Sequence, residues 1–233
     1  MTKKKNFLTV FFLIILIPLV IFGGSVLFQE KYYLWISFGV AILSCIPLLY
    51  CFEKKDSSSK ELTVLAVMIA LSASGRFLFA WIPGFKPVTA LTIIAAVYLG
   101  KEAGFVVGAL SAIVSNFYFG QGPWTPFQMF AWGILGFVAG CLSKPLRKNK
   151  IILCVFGAAA GIVYSLAMDV WSTLWADGTL NLSRYMASVA AAFPVTVIYA
   201  VSNVIFLLLL AKPIGEKLGR IKKKYGLFAK EQS

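Results

Sequence analysis

Residues 87–119 read PVTALTIIAAVYLGKEAGFVVGALSAIVSNFYF, and this stretch indicates the fold class. It holds two apolar runs, 87–100 and 102–119, which only the charged pair Lys101-Glu102 separates. The first run is short for a membrane span, and so brief a polar break favours a tight hairpin of two helices. The stretch therefore predicts an all-α protein whose helices cross a membrane.

The composition of the whole chain agrees with this prediction. Of the 233 residues, 60% are hydrophobic and 13% are charged, and the mean hydropathy is +0.85. A soluble domain has about 45–50% apolar and about 25% charged residues. These values exclude an ordinary soluble enzyme, and they also exclude a disordered or collagen-like chain.

The apolar runs predict about eight membrane spans, with seven as the alternative, because a bilayer core needs roughly 20 apolar residues per helix. They lie at about 7–28, 32–52, 61–82, 87–100, 102–119, 127–144, 151–175 and 188–211. A polar linker ends a two-helix N-terminal membrane extension at about residue 60. We expect residues 61–233 to form a six-helix bundle with a basic cytoplasmic tail.

The net charge of +13 predicts the orientation of the chain. With the N-terminus in the cytoplasm, only Lys31, Arg76, Lys86 and Arg184 fall toward the outer side, and the other basic residues fall inside. The positive-inside rule expects such a split, so both termini are predicted to be cytoplasmic. The basic tail, 212–230, is then explained by topology and contact with anionic lipid rather than by nucleic acid. We expect the first span to be retained rather than cleaved as a signal peptide.

The sequence argues against catalysis, a bound metal and a prosthetic cofactor. It contains no histidine, and Cys45, Cys51, Cys141 and Cys154 form no CxxC pair, so neither metal ligation nor a disulfide framework is expected. It has no GxxxxGK[ST] loop for a nucleotide phosphate, so we expect no ATP hydrolysis by this chain itself.

Small residues recur at a spacing of four, which places them on one face of a helix. Three glycine stripes are most simply explained by close packing within the bundle: Gly100 with Gly104 and Gly108, Gly136 with Gly140, and Gly157 with Gly161. The stripe of Ala66, Ala70 and Ser74 is equally compatible with an interface to another protein.

Two ionisable residues, Arg76 and Asp169, lie at similar depth in the outer half of predicted spans. Such groups are costly in a membrane and mark a pair, a pathway or a ligand. An Arg–Asp pair and a ligand-binding role both fit, and one does not exclude the other.

Polar and aromatic residues also gather in the outer loop between the fifth and sixth spans. Asn116 and Gln128 flank this loop, and Gln121 and Trp124 lie within it. Other tryptophans are predicted at the same level: Trp81, Trp171 and Trp175. Amides that alternate with aromatic rings around a concave mouth suit a flat, polar, ring-containing ligand, although an anchoring belt of aromatics is the alternative.

The six-span part resembles the substrate-binding S component of an energy-coupling factor (ECF) vitamin transporter. Ala66-Val67-Met68-Ile69-Ala70 matches the AxxxA stripe of that family. The block from Ser115 to Gly140, SNFYFGQGPWTPFQMFAWGILGFVAG, is the more specific match and is most similar to S components for cobalamin and to relatives without an assigned substrate. The two extra N-terminal helices depart from the usual six spans.

The resemblance implies a non-catalytic subunit of an ATP-driven importer in a bacterial plasma membrane. The subunit would capture a vitamin, with cobalamin as the best guess, and deliver it through a transmembrane coupling protein driven by two cytosolic ATPases. Ala66 and Ala70, with Ser74, would contact the coupling protein. From depth and chemistry, the expected ligand residues are Arg76, Asn116, Gln121, Trp124, Gln128 and Asp169. A self-contained secondary transporter for a small organic solute is the alternative, although no convincing internal repeat supports it.

Overall fold

The structure is a computed structural model that describes residues 39, 42–46, 58–178 and 181–228, and every element within these residues is a helix. The predicted span 7–28 and most of 32–52 lie outside the described residues. The helices are α1 (Ser59–Leu78), α2 (Val88–Leu99), α3 (Lys101–Phe119), α4 (Thr125–Cys141), α5 (Ser143–Lys148), α6 (Lys150–Asp177) and α7 (Leu182–Tyr225).

The prediction of an all-α membrane protein is confirmed. Within the described residues, α1, α3, α6 and α7 are long and apolar enough to cross a membrane, and α2 and α4 are shorter apolar helices. Each of the six apolar runs predicted between residues 61 and 211 overlaps one of these six helices. We call the end of the bundle that carries the 120–124 loop the outer end, and the opposite end the cytoplasmic end, following the charge pattern.

The short helix α2 lies at the centre of the bundle. Every residue of α2 except Tyr98 is buried, and α2 packs against α1, α3, α4, α6 and α7. A helix that is apolar all round can lie against lipid or against other helices, and the burial of α2 shows that other helices surround it. At about 1.5 Å per residue, its 12 residues cover about 18 Å, which is less than the thickness of the bilayer core.

Gly100 forms the tight hairpin predicted between α2 and α3. Its φ of 127° lies in a region that residues other than glycine rarely adopt, and its N–H donates to the carbonyl of Ala96 at 3.0 Å. Gly100 therefore ends α2 and begins α3, and the prediction that it belongs to a helix-packing stripe is wrong. Its role is conformational because a chain reversal of one residue requires this backbone geometry.

The remaining glycines of the predicted stripes let neighbouring helices approach closely, as the spacing predicted, and all of them except Gly157, which faces the Leu207 side chain, lie against a helix backbone. A Cβ atom built on Gly108 would lie 2.4 Å from the carbonyl oxygen of Trp132, and one on Gly136 would lie 2.3 Å from that of Gly104. Gly140 meets the backbone of Lys101 in the same way, and Gly161 meets the backbone of Ala200. The α3–α4 and α6–α7 pairs thus depend on the absence of a side chain at these positions.

Helix α7 is longer than its predicted span of 188–211, because it has 44 residues and ends at Tyr225. Its extension is held by packing at the cytoplasmic end, where Leu218 is buried and Lys222 Nζ donates to the carbonyl of Tyr98 at 3.3 Å. Beyond the helix, the N–H of Phe228 donates to Glu61 Oε1 at 2.5 Å. The basic tail is therefore folded against the bundle through residue 228.

We expect Gly136→Ala to lower the unfolding temperature of the detergent-solubilised protein. The added methyl group would overlap the carbonyl of Gly104, and overpacking of this kind costs about 1–3 kcal/mol, more than the gain in helix propensity of about 0.5–1 kcal/mol. Gly219→Ala is the matched control because its Cβ would meet only Tyr98, at 4.0 Å. Equal unfolding temperatures for the two variants would contradict the packing role of Gly136.

Candidate functional site

Arg76 is the centre of a polar cluster at the outer end of the bundle. It lies near the end of α1 with only 8% of its surface exposed. Its Nη1 donates to Ser115 Oγ at 2.5 Å and to Asn116 Oδ1 at 2.7 Å, while its Nε is buried without a hydrogen-bond partner. A buried cation with an unpaired N–H is costly in free energy. The Nε of Arg76 is therefore a donor that a further acceptor could satisfy.

The two amides that flank the outer loop, Asn116 and Gln128, are hydrogen-bonded to each other. Asn116 Nδ2 donates to Gln128 Oε1 at 2.8 Å and to Thr125 Oγ1 at 2.9 Å, and all three side chains are buried. The hydrogen bonds run from Arg76 through Asn116 to Gln128, and they join α1, α3 and α4. These hydrogen bonds fix the orientation of the Asn116 amide, because its oxygen must accept from Arg76 and its nitrogen must donate to Gln128.

Aromatic rings extend the cluster across the bundle, and we call this arrangement the cation–aromatic row. The Arg76 guanidinium lies 4.4 Å from the Phe119 ring centroid and 5.3 Å from that of Trp132. Trp132 stacks on Tyr164, with centroids 4.8 Å apart and planes 4° apart, and Tyr164 meets Tyr199 edge-on at 5.2 Å. The row is Phe119, Arg76, Trp132, Tyr164, Tyr199 and Lys86, whose Nζ lies 4.9 Å from the Tyr199 ring centroid.

Arg76 and Asp169 do not form the ion pair that the sequence left open. Ion pairs in the described residues include Arg184 with Asp177 and Arg220 with Glu216, and neither pair involves Arg76 or Asp169. Asp169 is 8% exposed, and its Oδ2 atom is buried without a hydrogen-bond partner. The cation is instead held by hydroxyl and amide oxygens and by aromatic faces, which leaves the Asp169 carboxylate as a second unpaired group in the outer half.

Gln121 and Trp124 stabilise the outer loop itself. Gln121 Nε2 donates to the carbonyl of Ile113 at 2.9 Å, and its Oε1 accepts from Thr125 Oγ1 at 3.1 Å. The Trp124 ring covers Gly122, where a Cβ would lie 2.3 Å from the indole. Their link to the buried cluster is Thr125, which contacts both Gln121 and Asn116.

The tryptophans predicted at the outer level have different surroundings. Trp171 is buried and lies 5.1 Å from the Phe127 ring centroid and 5.4 Å from that of Trp175. Trp81 is 77% exposed and Trp175 is 50% exposed. The exposed pair fits an anchoring belt, whereas Trp171 belongs to the core.

A small cavity opens beside Arg76 at the outer end. It has a volume of about 90 Å³ and is lined by Arg76, Phe119 and the segment 79–86, which joins α1 to α2. This segment is held to α7 by Ser202, whose Oγ accepts from the Lys86 N–H at 2.9 Å. Small-molecule sites usually have about 300–1,000 Å³. The cavity is therefore smaller than a usual small-molecule site, and a ligand of the usual size would fit only if the adjoining segment 79–86 moved.

Several residues of the cluster were not predicted from the sequence: Lys86, Ser115, Thr125, Trp132, Tyr164 and Tyr199. Trp132 follows Gln128 by four residues and shares its helix face, so spacing alone contained this signal. Tyr164 and Tyr199 carry no such signal, because Tyr164 meets Trp132, and Tyr199 meets Tyr164, only through the packing of α6 and α7. Within the described residues, no group of three or more His, Cys, Asp or Glu side chains could hold a metal ion.

The stripe of Ala66, Ala70 and Ser74 lies on the side of α1 that faces away from the bundle. All three residues are exposed, whereas Leu65, Met68, Ile69, Ser72 and Arg76 form the buried side of the same helix. Exposed Val67 and Leu71 lie next to the stripe. The stripe therefore does not pack against any described helix.

The chain resembles known families and proteins over this helical region. The sequence model of the family described as "ECF-type riboflavin transporter, S component" matches residues 56–220. The chain is 26% identical over 147 residues to a UPF0397 protein of Aliivibrio fischeri, covering 61% of this chain and 77% of that protein. It is 26% identical over 174 residues to a UPF0397 protein of Vibrio atlanticus, with coverages of 66% and 92%. A UPF0397 protein of Aliivibrio salmonicida is 28% identical over 148 residues, with coverages of 61% and 78%. No solved structure matches the chain at a significant level.

We expect Asn116→Leu to destabilise the protein, because it removes partners from both Arg76 and Gln128. Each buried polar group left unsatisfied costs about 1–3 kcal/mol. Thermal unfolding in detergent measures the effect, and Ser74→Leu on the exposed side of α1 is the control. An unchanged unfolding temperature for Asn116→Leu would show that the hydrogen-bonded cluster does not contribute to stability.

Proposed function

The chain belongs to the family of ECF-type riboflavin transporter S components, and we propose that it captures a vitamin at its outer end for import through a separate coupling protein. Family membership makes it a multi-pass membrane protein and a substrate-binding, non-catalytic subunit of a transporter. The observation that carries the proposal is the buried guanidinium of Arg76. It borders the outer cavity and retains an N–H without a partner.

The chemistry of the outer cavity supports a ligand with a flat conjugated ring and polar edges. Phe119 and Arg76 both line the cavity, so a ring that enters it meets an aromatic face and a planar cation. Polar ring edges can accept from Arg76 Nε, and Asp169 supplies a buried acceptor elsewhere in the outer half. Of the residues predicted from the sequence to bind ligand, Arg76 lines the cavity, and with Phe119 and Asp169 it forms our proposed contact set. The others would support this set by holding the cluster and the loop in place: Asn116, Gln121, Trp124 and Gln128.

Riboflavin is the first candidate ligand and cobalamin is the second. The family description names riboflavin, and its planar three-ring system suits stacking against Phe119. Cobalamin, which the loop motif favours, is much bulkier and would require a larger opening of the segment 79–86 beside the cavity of about 90 Å³. Both vitamins belong in the first binding experiment.

The exposed alanine stripe supports docking onto a transmembrane coupling protein, which two cytosolic ATPases would drive. Small residues let two helices approach closely inside a membrane. The van der Waals packing that results favours association without any contribution from the hydrophobic effect. Ala66, Ala70 and Ser74 are exposed, so a partner helix can reach them without displacing part of the bundle. The ATP-binding chemistry would reside on these other chains.

We expect the purified protein to bind riboflavin in detergent without ATP, and Phe119→Leu to weaken that binding. Loss of one aromatic contact costs about 0.5–1.5 kcal/mol beyond the buried area, or roughly a two- to tenfold rise in Kd. Calorimetry with riboflavin and cobalamin measures both affinities. Phe117→Leu is the control because Phe117 lies on the same helix and is 79% exposed.

The outcomes of this experiment are distinct. Binding of cobalamin but not riboflavin would support vitamin capture and reassign the substrate. Binding of neither vitamin above the micromolar range would contradict the proposal. Equal affinities for the two phenylalanine variants would remove the outer cavity as the binding site.

We expect Ala66→Leu combined with Ala70→Leu to abolish vitamin uptake by cells while leaving binding in detergent intact. The added side chains hold a partner helix away from α1 without touching the buried side of that helix. The control is Ala187→Leu combined with Ala191→Leu, which places the same change, at the same spacing, on exposed positions of α7.

Loss of both binding and uptake in the α1 variant would show that the stripe contributes to folding instead. Loss of uptake in both double variants would point to a general defect of membrane insertion. Vitamin uptake into proteoliposomes that contain this chain alone would instead support a self-contained secondary transporter.

A further inference from the structure

Another cavity, of about 160 Å³, lies at the cytoplasmic end of the bundle. It is near the end of α2, whereas the proposed vitamin site is beside the beginning of that helix. It is formed where the end of α2 meets α5, the first turn of α6 and the middle of α7. Its lining residues fall into an apolar group and a charged group: Ile94, Val97, Leu146, Leu153 and Ala211 with Tyr98, and Arg147, Lys150 and Lys212 with Glu216. The proposed vitamin site uses none of these residues.

The charged wall of this cavity has an excess of unpaired cations. Within the described residues, Arg147, Lys150 and Lys212 form no ion pair, whereas Glu216 pairs with Arg220 at 3.5 Å. Three cations therefore face the cavity beside one carboxylate that already has a partner. The wall attracts an anion, and charge-assisted hydrogen bonds to a phosphate are among the stronger polar contacts in proteins.

The Arg147 guanidinium is held at this cavity by an aromatic ring. It lies 5.0 Å from the centroid of Tyr98, which also lines the cavity. A guanidinium that stacks on a ring keeps its N–H edges free, and these edges match two oxygens of a phosphate. The Tyr98 carbonyl accepts from Lys222 Nζ, which ties this part of the wall to α7.

The apolar wall distinguishes this cavity from a site for a free anion. Ile94, Val97, Leu146 and Leu153 are largely buried, and they form an inner wall that the glycerol of a lipid can contact but that a soluble phosphate cannot use. The charge pattern of the chain would place this end of the bundle at the cytoplasmic interface. Basic pockets between transmembrane helices on this side suit acidic lipid headgroups.

We propose that this cavity binds the phosphate group of an anionic phospholipid from the inner leaflet, through Arg147, Lys150 and Lys212. The lipid would bridge α5, α6 and α7 at the cytoplasmic end, so its binding stabilises the bundle. The site is distinct from the general attraction of the basic tail, because Lys217, Lys223 and Lys224 do not line the cavity.

The test compares two triple variants that remove the same charge. The first is Arg147→Gln with Lys150→Gln and Lys212→Gln, and the control is Lys217→Gln with Lys223→Gln and Lys224→Gln. The full-length protein in neutral detergent is titrated with phosphatidylglycerol, phosphatidylcholine or inorganic phosphate. Native mass spectrometry gives the Kd of the lipids, and thermal unfolding gives the stabilisation by each additive.

We expect phosphatidylglycerol to bind and to raise the unfolding temperature of the wild-type protein and of the control variant. In the cavity variant, we expect affinity to fall by about tenfold or more, because charge-assisted contacts are lost. Inorganic phosphate and phosphatidylcholine should stabilise none of the three proteins.

Three results would overturn the proposal. An equal loss of affinity in both triple variants would mean diffuse attraction to the basic face. Stabilisation by inorganic phosphate equal to that by phosphatidylglycerol would assign the site to a soluble anion. Equal affinity of all three proteins for phosphatidylglycerol would exclude the cavity as the lipid-binding site. None of these results depends on whether the outer end binds a vitamin.

Discussion

The close approach of α3 and α4 is the constraint on which the rest of the structure depends. Gly104 and Gly136 let the two backbones touch, and Gly108 lies directly against the carbonyl of Trp132. This contact places Trp132 beside α3, and its ring then lies between the Arg76 guanidinium and Tyr164. Without the glycines the two helices would separate, and the row of rings that covers the buried cation would be broken.

Helix α1 connects the two surfaces on which the proposed function rests. Its buried side supplies Arg76 to the outer cavity, and its exposed side carries Ala66 and Ala70. At its cytoplasmic end, Glu61 accepts from the N–H of Phe228, so the folded C-terminal segment is tied to the same helix. A partner that docks on α1 would therefore contact an element that also belongs to the ligand site.

Polar groups without partners indicate where a ligand can contribute energy. Arg76 Nε, Asp169 Oδ2 and the Trp132 indole N–H are all buried without hydrogen bonds in the outer half of the bundle. Such groups are costly in a low-dielectric interior unless a partner satisfies them. At the cytoplasmic end, the unpaired groups are instead exposed cations beside an apolar wall, which suits a lipid headgroup rather than a flat ring.

Local sequence determined the features that depend on near neighbours in the chain. The apolar runs predicted the six helices, and the spacing of Gly104, Gly136 and Gly157 predicted their packing, because helix periodicity fixes which residues share a face. Arg76, Asn116 and Gln128 stood out because polar side chains are rare in a membrane. Only the tertiary structure decided that Arg76 pairs with Asn116 rather than Asp169, that Gly100 forms a turn rather than part of a packing stripe, and that Tyr164 and Tyr199 complete the row. These outcomes depend on contacts between helices far apart in the chain, whose geometry no local pattern specifies.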